Sequence, residues 1–431
     1  MKPYPHYKPT GLAWLPSVPE HWEVVPFKQL FTLGKGLPIT KADLVESGTP
    51  VVSYGQIHSK TNTGTALSGD LLRFVPPETA AAKPTARLRK GDFAFADTSE
   101  DVAGCGNCVF NNRDDEVFGG YHTILAFNHR PEHGRYLSYL FQSPCWRDQI
   151  RRFANGVKVY SVTGRILNAA MVTLPDSSEQ DRIVRYLDEK TAAIDELVRA
   201  KERQIELLRE RKQALVSAAV TGGLGPATER KDSGVPWIGK IPKGWEVRRG
   251  KFLYRIVNGF PFPSEHFSVV KGYPLIRIRD ITSGQCETFF DGDFVPEVAV
   301  VDGDLLVGMD GDFGVRLWQG GEALLNQRCC MVKEFSSVSR QYLFYTLPLA
   351  LKDINDKAYA TTVKHLSSPD LLHLSLPLPP LPEQQRIVAH LDSVCSELDA
   401  AEAAIRKQIS LLQELRTRLV SDAVTGAVEV G

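Results

Sequence analysis

Glu179-Gln-Asp-Arg-Ile-Val184 opens a stretch that closes on Leu215-Val-Ser-Ala-Ala-Val-Thr-Gly222. Glu383-Gln-Gln-Arg-Ile-Val388 opens another that closes on Leu419-Val-Ser-Asp-Ala-Val-Thr-Gly426. Aligned without gaps, the two copies agree at about 20 of 44 positions, so the chain is built from two similar halves. A second echo lies upstream of each copy. Trp14-Leu-Pro-Ser-Val-Pro-Glu-His-Trp22-Glu-Val answers Trp237-Ile-Gly-Lys-Ile-Pro-Lys-Gly-Trp245-Glu-Val. The order is variable region, long repeat, variable region, long repeat, with segments at 1–175, 176–222, 223–379 and 380–431.

The repeats read as helices. Apolar residues fall at Ile183, Leu187, Ile194, Leu208 and Leu215 in the first copy, and at Ile387, Leu391, Leu398, Ile409, Leu412 and Leu419 in the second. Steps of three, four and seven are the seam of a helix packed on another helix. Pro175 and Pro382 are expected just before the starts, and Gly222 and Gly426 at the stops. Each helix then spans roughly 60 Å at 1.5 Å per residue. Lys190, Lys201 and Lys212 interrupt the first seam, which excludes a strict coiled-coil dimer. Two such helices from one chain, paired antiparallel, would act as a rigid spacer.

The variable regions carry short β-type runs punctuated by Gly, Pro and Asp: Thr49–Tyr54, Asp92–Phe95, His122–Phe127, then Tyr273–Ile278, Asp304–Val307 and Cys329–Val332. Weak matches link them. Pro50–Ile57 aligns with Pro274–Ile281, Lys90–Phe95 with Asp302–Val307, and Val157-Lys158 with Val363-Lys364. The expected fold is therefore α+β: two mixed α/β domains separated by two long antiparallel helices in a pseudo-two-fold, circularly permuted arrangement. A shared scaffold with different surfaces points to two modules that read different targets.

Bulk properties narrow the class. The composition is that of a folded globular chain, 43% hydrophobic and 24% charged, and no run is long and apolar enough for a membrane helix. Seven cysteines at irregular spacing fit reduced thiols, so a cytoplasmic location is expected. Net charge is zero, which taken alone argues against nucleic acid; residues 1–175 hold a small excess of 19 basic over 15 acidic side chains. A DNA reader of this composition needs partner subunits to supply much of the phosphate clamp.

Apparent catalytic motifs do not hold together. Cys105-Gly-Asn-Cys108 has no second ligand pair to complete a zinc site. Asp312-Phe-Gly314 lacks the other elements of a kinase. Pro175-Asp176 with Asp188-Glu-Lys190 mimics a nuclease metal set, yet its carboxylates fall in a helix, and Leu378 and Asp392-Ser-Val394 break the pattern in the second copy. There is no glycine-rich methyl-donor loop and no P-loop. Binding and positioning are the expected work of the chain.

The whole arrangement resembles the specificity (S) subunit of type I restriction-modification systems. The likeness rests on Trp237-Ile-Gly-Lys-Ile-Pro-Lys-Gly-Trp-Glu-Val247, on the Glu-Gln-x-Arg-Ile-Val helix starts and on the Leu-Val-Ser-x-Ala-Val-Thr-Gly helix ends. The resemblance implies a non-catalytic, DNA-binding subunit whose two target recognition domains each read half of a split duplex site. The paired helices set the gap and dock two modification (methyltransferase) subunits, with restriction subunits joining in some complexes. S-adenosylmethionine, ATP and magnesium would belong to those partners, and no cofactor or metal to this chain.

Residue types suited to base edges are Gln56, His58, Ser99, His122, Arg279, Asp280, Asp310, Asn326 and Arg328. Lys158, Tyr160, Thr362 and Lys364 suit phosphates. Leu376-Pro-Leu-Pro-Pro-Leu-Pro382, read as two residues longer than the first helix lead-in, predicts half-sites placed asymmetrically about the helices. Two other classes fit the same pattern: a stand-alone bipartite DNA-binding protein, and an adaptor that grips proteins.

Overall fold

The computed structural model describes residues 2–225, 229–357 and 365–430. The chain forms two compact units that do not coincide with the halves of the repeat. One contains the residues up to Lys201 and those from Arg406 onward; the other is Glu202–Ile405. The division falls inside both long helices, Ser177–Gly222 and Leu381–Val424. Each unit thus holds one variable region, half of one long helix and half of the other.

The helix ends follow from local chemistry. Asp176 Oδ1 accepts the Glu179 backbone N–H at 2.9 Å, which caps the first helix and holds the Asp176 carboxyl below its usual range. Pro382 lies inside the first turn of the second helix rather than before it, where its missing N–H costs nothing. The left-handed stops are Gly223, at φ 77°, and Gly426, at φ 69°; Gly222 is still helical. The expected two-residue difference between the lead-ins is absent. Strand Met171–Leu174 and strand Ser375–Leu378 each stand two residues before their helix, so the proline-rich stretch introduces no asymmetry there. Pro380, not Leu378, occupies the place of Asp176.

In the first unit an antiparallel sheet runs in the order Cys108–Phe110, Phe93–Ala96, Thr123–Asn128, Phe31–Lys35. A second sheet runs Arg73–Val75, Thr49–Val52, Val117–Gly119, Arg87–Leu88, with the middle pair parallel. Phe93-Ala-Phe-Ala96 is buried on both faces, and its alternation sorts the two cores. Phe93 and Phe95 enter a cluster with Phe27, Phe141 and Trp146, whereas Ala94 and Ala96 face Val51, Val52 and Val75.

The second unit repeats this two-sheet plan. Its antiparallel sheet is Tyr254–Asn258, Cys329–Glu334, Leu305–Gly308, Val315–Leu317. Its other sheet is Phe267–Ser268, Phe289–Phe290, Tyr273–Ile276, Ala323–Leu325, Ala299–Val300, one strand more than the first copy. Leu305 and Val307 face one core and Leu306 the other.

Each unit receives the start of one long helix and the end of the other. In the first, Ile183 and Leu187 are buried with Val420, Ala423 and Val424. Tyr136 Oη and Thr173 Oγ1 donate to the Val424 carbonyl at 3.2 and 2.8 Å, satisfying an acceptor that a helix end leaves without a partner. In the second, Ile387 and Leu391 are buried with Ala219 and Val220, and Tyr342 Oη donates to the Val220 carbonyl at 3.1 Å.

Within each unit the two helical segments run antiparallel. Arg416 pairs with Asp195 (2.9 Å) and Lys201 with Gln408 (2.6 Å) in the first. Arg209 pairs with Glu402 (2.7 Å) and Lys212 with Asp399 (2.7 Å) in the second. Lys201 and Lys212, which interrupt the apolar seam, are therefore cross-helix rungs. Exposed pairs of this kind add little net stability, so their role is to fix register.

Candidate nucleic-acid interface

The loops that follow the sheet strands gather the polar side chains of each unit. Register fixes which positions correspond. Thr123 faces Ala96 and Cys329 faces Gly308, so His122 and Arg328 are equivalent, as are Thr98 and Asp310. Asp97 corresponds to Met309.

In the first unit, His122 sits at φ 54°, a left-handed conformation that a non-glycine residue adopts only when its surroundings enforce it. Its Nδ1 lies 3.1 Å from Asp97 Oδ1, and its ring packs edge-on to Tyr54 and Tyr121. The Tyr121 phenol is pushed above its usual range, first by burial and then by Tyr54. Beside this group is a 520 Å³ cavity lined by Tyr54, His58, Ser99, Asp101, Asn107 and Arg147. The Arg147 guanidinium hydrogen-bonds to the side-chain oxygens of Asn107 and Gln142 and, among the described residues, to no carboxylate. Burial lowers its pKa.

The second unit places a comparable device one residue along. Arg328 Nη1 is 3.2 Å from Asp310 Oδ2, and the other oxygen of that carboxylate is 2.6 Å from His365 Nδ1. Both basic side chains are more than half exposed. A carboxylate that holds one edge of a guanidinium leaves its other N–H groups aimed outward, the geometry that suits guanine O6 and N7. Arg279 is also half exposed, held by Thr288 Oγ1 at 2.9 Å.

Several expected readers have other duties. Gln56 and Asp280 occupy the same position in two short helices, where each side chain accepts the N–H of the capping residue, Ser53 at 3.2 Å and Arg277 at 2.8 Å. Asp280 is wholly buried, and desolvation raises its pKa. Ser99 and Asn326 are also buried, Ser99 against the 520 Å³ cavity, so Asp280 and Asn326 do not offer their side chains to a ligand. His58 has both ring nitrogens engaged, by the Thr98 carbonyl at 2.8 Å and by Asn107 Nδ2 at 3.1 Å. It is a strut under the loop. Lys158 and Tyr160 belong to one hairpin, Lys158 exposed at its tip and Tyr160 half-buried. Thr362 and Lys364 lie outside the described residues.

The proposed docking residues divide in the same way. Ile183, Leu187, Ile387 and Leu391 are fully buried in their own units, and Ile194 nearly so, which removes them from any external contact. Leu208, Leu215, Leu398, Ile409, Leu412 and Leu419 form the half-buried seam. Exposed leucines of the long helices lie elsewhere: Leu197, Leu411 and Leu415 in the first unit, and Leu207 and Leu381 in the second. Leu207 and Leu411 are the same position of the repeat. The signal was the doubled leucine in both copies, one residue more than a seam needs.

Among the described residues there is no group of three or more His, Cys, Asp or Glu side chains that could hold a metal ion, and no helix is long and apolar enough to cross a membrane. The nuclease-like residues are structural. Asp176 caps a helix, and Asp188 Oδ1 accepts Tyr139 Oη at 2.6 Å and pairs with Arg135.

Comparison with known proteins agrees with this architecture. The chain is 40% identical over 173 residues to the EcoBI type I restriction enzyme specificity subunit of Escherichia coli, a match covering 40% of this chain and 36% of that relative. It is 22% identical over 431 residues to the putative MjaX specificity subunit of Methanocaldococcus jannaschii, covering 96% and 95%. A solved structure from work on complex assembly and conformational transition of the type I R-M system superposes with a TM-score of 0.69 at 18% identity, covering 95% of this chain and 99% of that one. The model of the type I restriction modification DNA specificity domain matches twice, at residues 19–207 and 242–411. The chain therefore belongs to the type I restriction-modification DNA specificity family.

Proposed function

We propose that this chain is the sequence-reading subunit of a type I restriction-modification complex, with one recognition domain for each half of a bipartite duplex site. The observation that carries this reading is the recurrence of one scaffold with different side chains at one register position. His122 beside Asp97 in the first domain, and Arg328 beside Asp310 in the second, are basic groups held by carboxylates at the ends of matching strands. A fixed scaffold with variable polar tips is what a reader of two different half-sites needs.

The chain acts by binding, in the cytoplasm, and leaves chemistry to its partners. Two methyltransferase subunits dock on the long helices, one for each copy of the repeat, and the exposed Leu207 and Leu411 are the points of attachment. Their S-adenosylmethionine, and the ATP and magnesium of any restriction subunits, stay with those partners. The near-neutral charge fits a reader whose partners close around the DNA.

Long-read methylation sequencing of DNA from a host expressing this chain with its neighbouring methyltransferase gene tests the proposal. A new modified motif with two specific parts and an unspecified gap is expected. Absence of any new motif in a host that makes both proteins soluble would overturn it.

A further inference from the structure

We infer that the hairpin Asn155–Ser161 is a groove-entering element that presses Val157 against the bases of duplex DNA beside the first half-site. This rests on the DNA-reading function proposed above and adds a contact that residue-type matching does not find. The register pairs Asn155 with Ser161 and Gly156 with Tyr160, which leaves Val157-Lys158-Val159 as a three-residue tip. The turn is tight: a Cβ on Gly156 would lie 2.0 Å from the Val159 carbonyl oxygen. Its inner strand is tied to the reading surface, because Tyr160 pairs with Ser99, Ser161 with Thr98, and the Val162 N–H donates to the Asp97 carbonyl at 2.8 Å. That Asp97 is the residue that holds His122.

The tip is apolar where a free surface has no reason to be. Val157 is 94% exposed and Val159 55%, with Phe153 at 63% just before the hairpin. The surrounding chain is cationic. From Gln149 to Pro175 there are four basic residues, Arg151, Arg152, Lys158 and Arg165, and no acidic ones, in a chain of zero net charge. Arg151 is engaged by Asp148 and the Ala103 carbonyl, whereas among the described residues Arg152, Lys158 and Arg165 form no ion pair. An apolar tip with Lys158 at its centre, and Arg152 and Arg165 on the chain that flanks it, is complementary to a stack of bases bordered by phosphates. A protein surface or a second copy of this chain would need acidic groups to match it.

The test uses the full chain assembled with its methyltransferase subunits on DNA carrying the modified motif. With Val157 replaced by p-benzoylphenylalanine, irradiation is expected to cross-link the chain to a nucleotide at or next to one half-site. Val157→Ser should weaken specific binding about tenfold, the value of one buried valine, with an unchanged thermal midpoint. Val157→Ile should bind as the parent does. Cross-linking to a protein subunit alone, no cross-link, or unchanged affinity of Val157→Ser would each overturn the inference while leaving the reader function standing. An assembly with no sequence-specific binding at all would overturn both.

Discussion

Trp22 and Glu179 meet across 157 residues of sequence: the indole Nε1 donates to Glu179 Oε2 at 3.0 Å, at the point where the first long helix enters its unit. Trp245 and Glu383 repeat the contact at 2.9 Å in the other unit. The tryptophan of one sequence echo and the glutamate of the other are therefore two ends of one bond. Their surroundings differ. Glu179 is buried and also takes the Tyr4 hydroxyl at 2.6 Å and faces His21 Nε2 at 2.8 Å. Glu383 borders a 340 Å³ cavity with Trp245 and Arg386.

Glu179→Ala should accordingly destabilise the first unit by about 3 kcal/mol, because it strands two buried donors. Glu383→Ala should cost about 1 kcal/mol, since water can enter its cavity and replace the lost acceptor. Calorimetry of the two variants measures the difference. Equal losses would contradict the assigned burial.

Arg328→Ala should lose about 1–3 kcal/mol of discrimination at one base pair of one half-site and leave the other half-site unaffected. His122→Ala should do the converse. Binding assays on targets mutated base by base separate the two; loss at both half-sites from either change would refute independent reading.

Lys158→Ala should weaken binding to every sequence alike and reduce the slope of log affinity against log salt by about 0.9, the value of one phosphate contact. Titrations at four or more salt concentrations give the slope. Weakening restricted to one target sequence would mean a base contact instead.

All seven cysteines are free thiols, and burial is the leading cause that raises each pKa: Cys145 to about 11, and Cys108, Cys286 and Cys330 to about 12. The folded protein at pH 8 should react slowly with a thiol reagent, and the denatured chain should release seven equivalents. Each thiol ionises more easily unfolded, at about 8.5, so their contribution is fully present below that pH. It is lost as pH rises toward about 12. Denaturant midpoints measured at pH 7.5 and pH 10 should fall in that order.

The long helices were legible because a 3.6-residue period repeated twice leaves little ambiguity, and the shared scaffold because its turns recur at matching offsets. The reading surface was less so. Residue type marks Asp280 and Arg328 as equal candidates, yet one is a wholly buried cap and the other an exposed guanidinium; only burial in the folded unit separates them. Gln56 carries the same ambiguity, since Ser-x-x-Gln is a capping pattern as much as a recognition loop. Periodicity cannot tell a helix face buried in its own domain from one left open to a docking partner. Leu187 and Leu208 look alike in the pattern, yet Leu187 is buried and Leu208 only half-buried.

The carbonyl of Val424, which receives both Tyr136 and Thr173, has a consequence for the order of biogenesis. Residues 202–405 are contiguous and hold every segment of the second unit, so that unit can close while translation continues. The first unit begins emerging earlier yet needs residues from Arg406 onward to cover Ile183 and Leu187. The recognition domain made first is thus the last one finished, and it waits with an apolar surface exposed for the synthesis of some two hundred residues, the interval in which a chaperone has most to do.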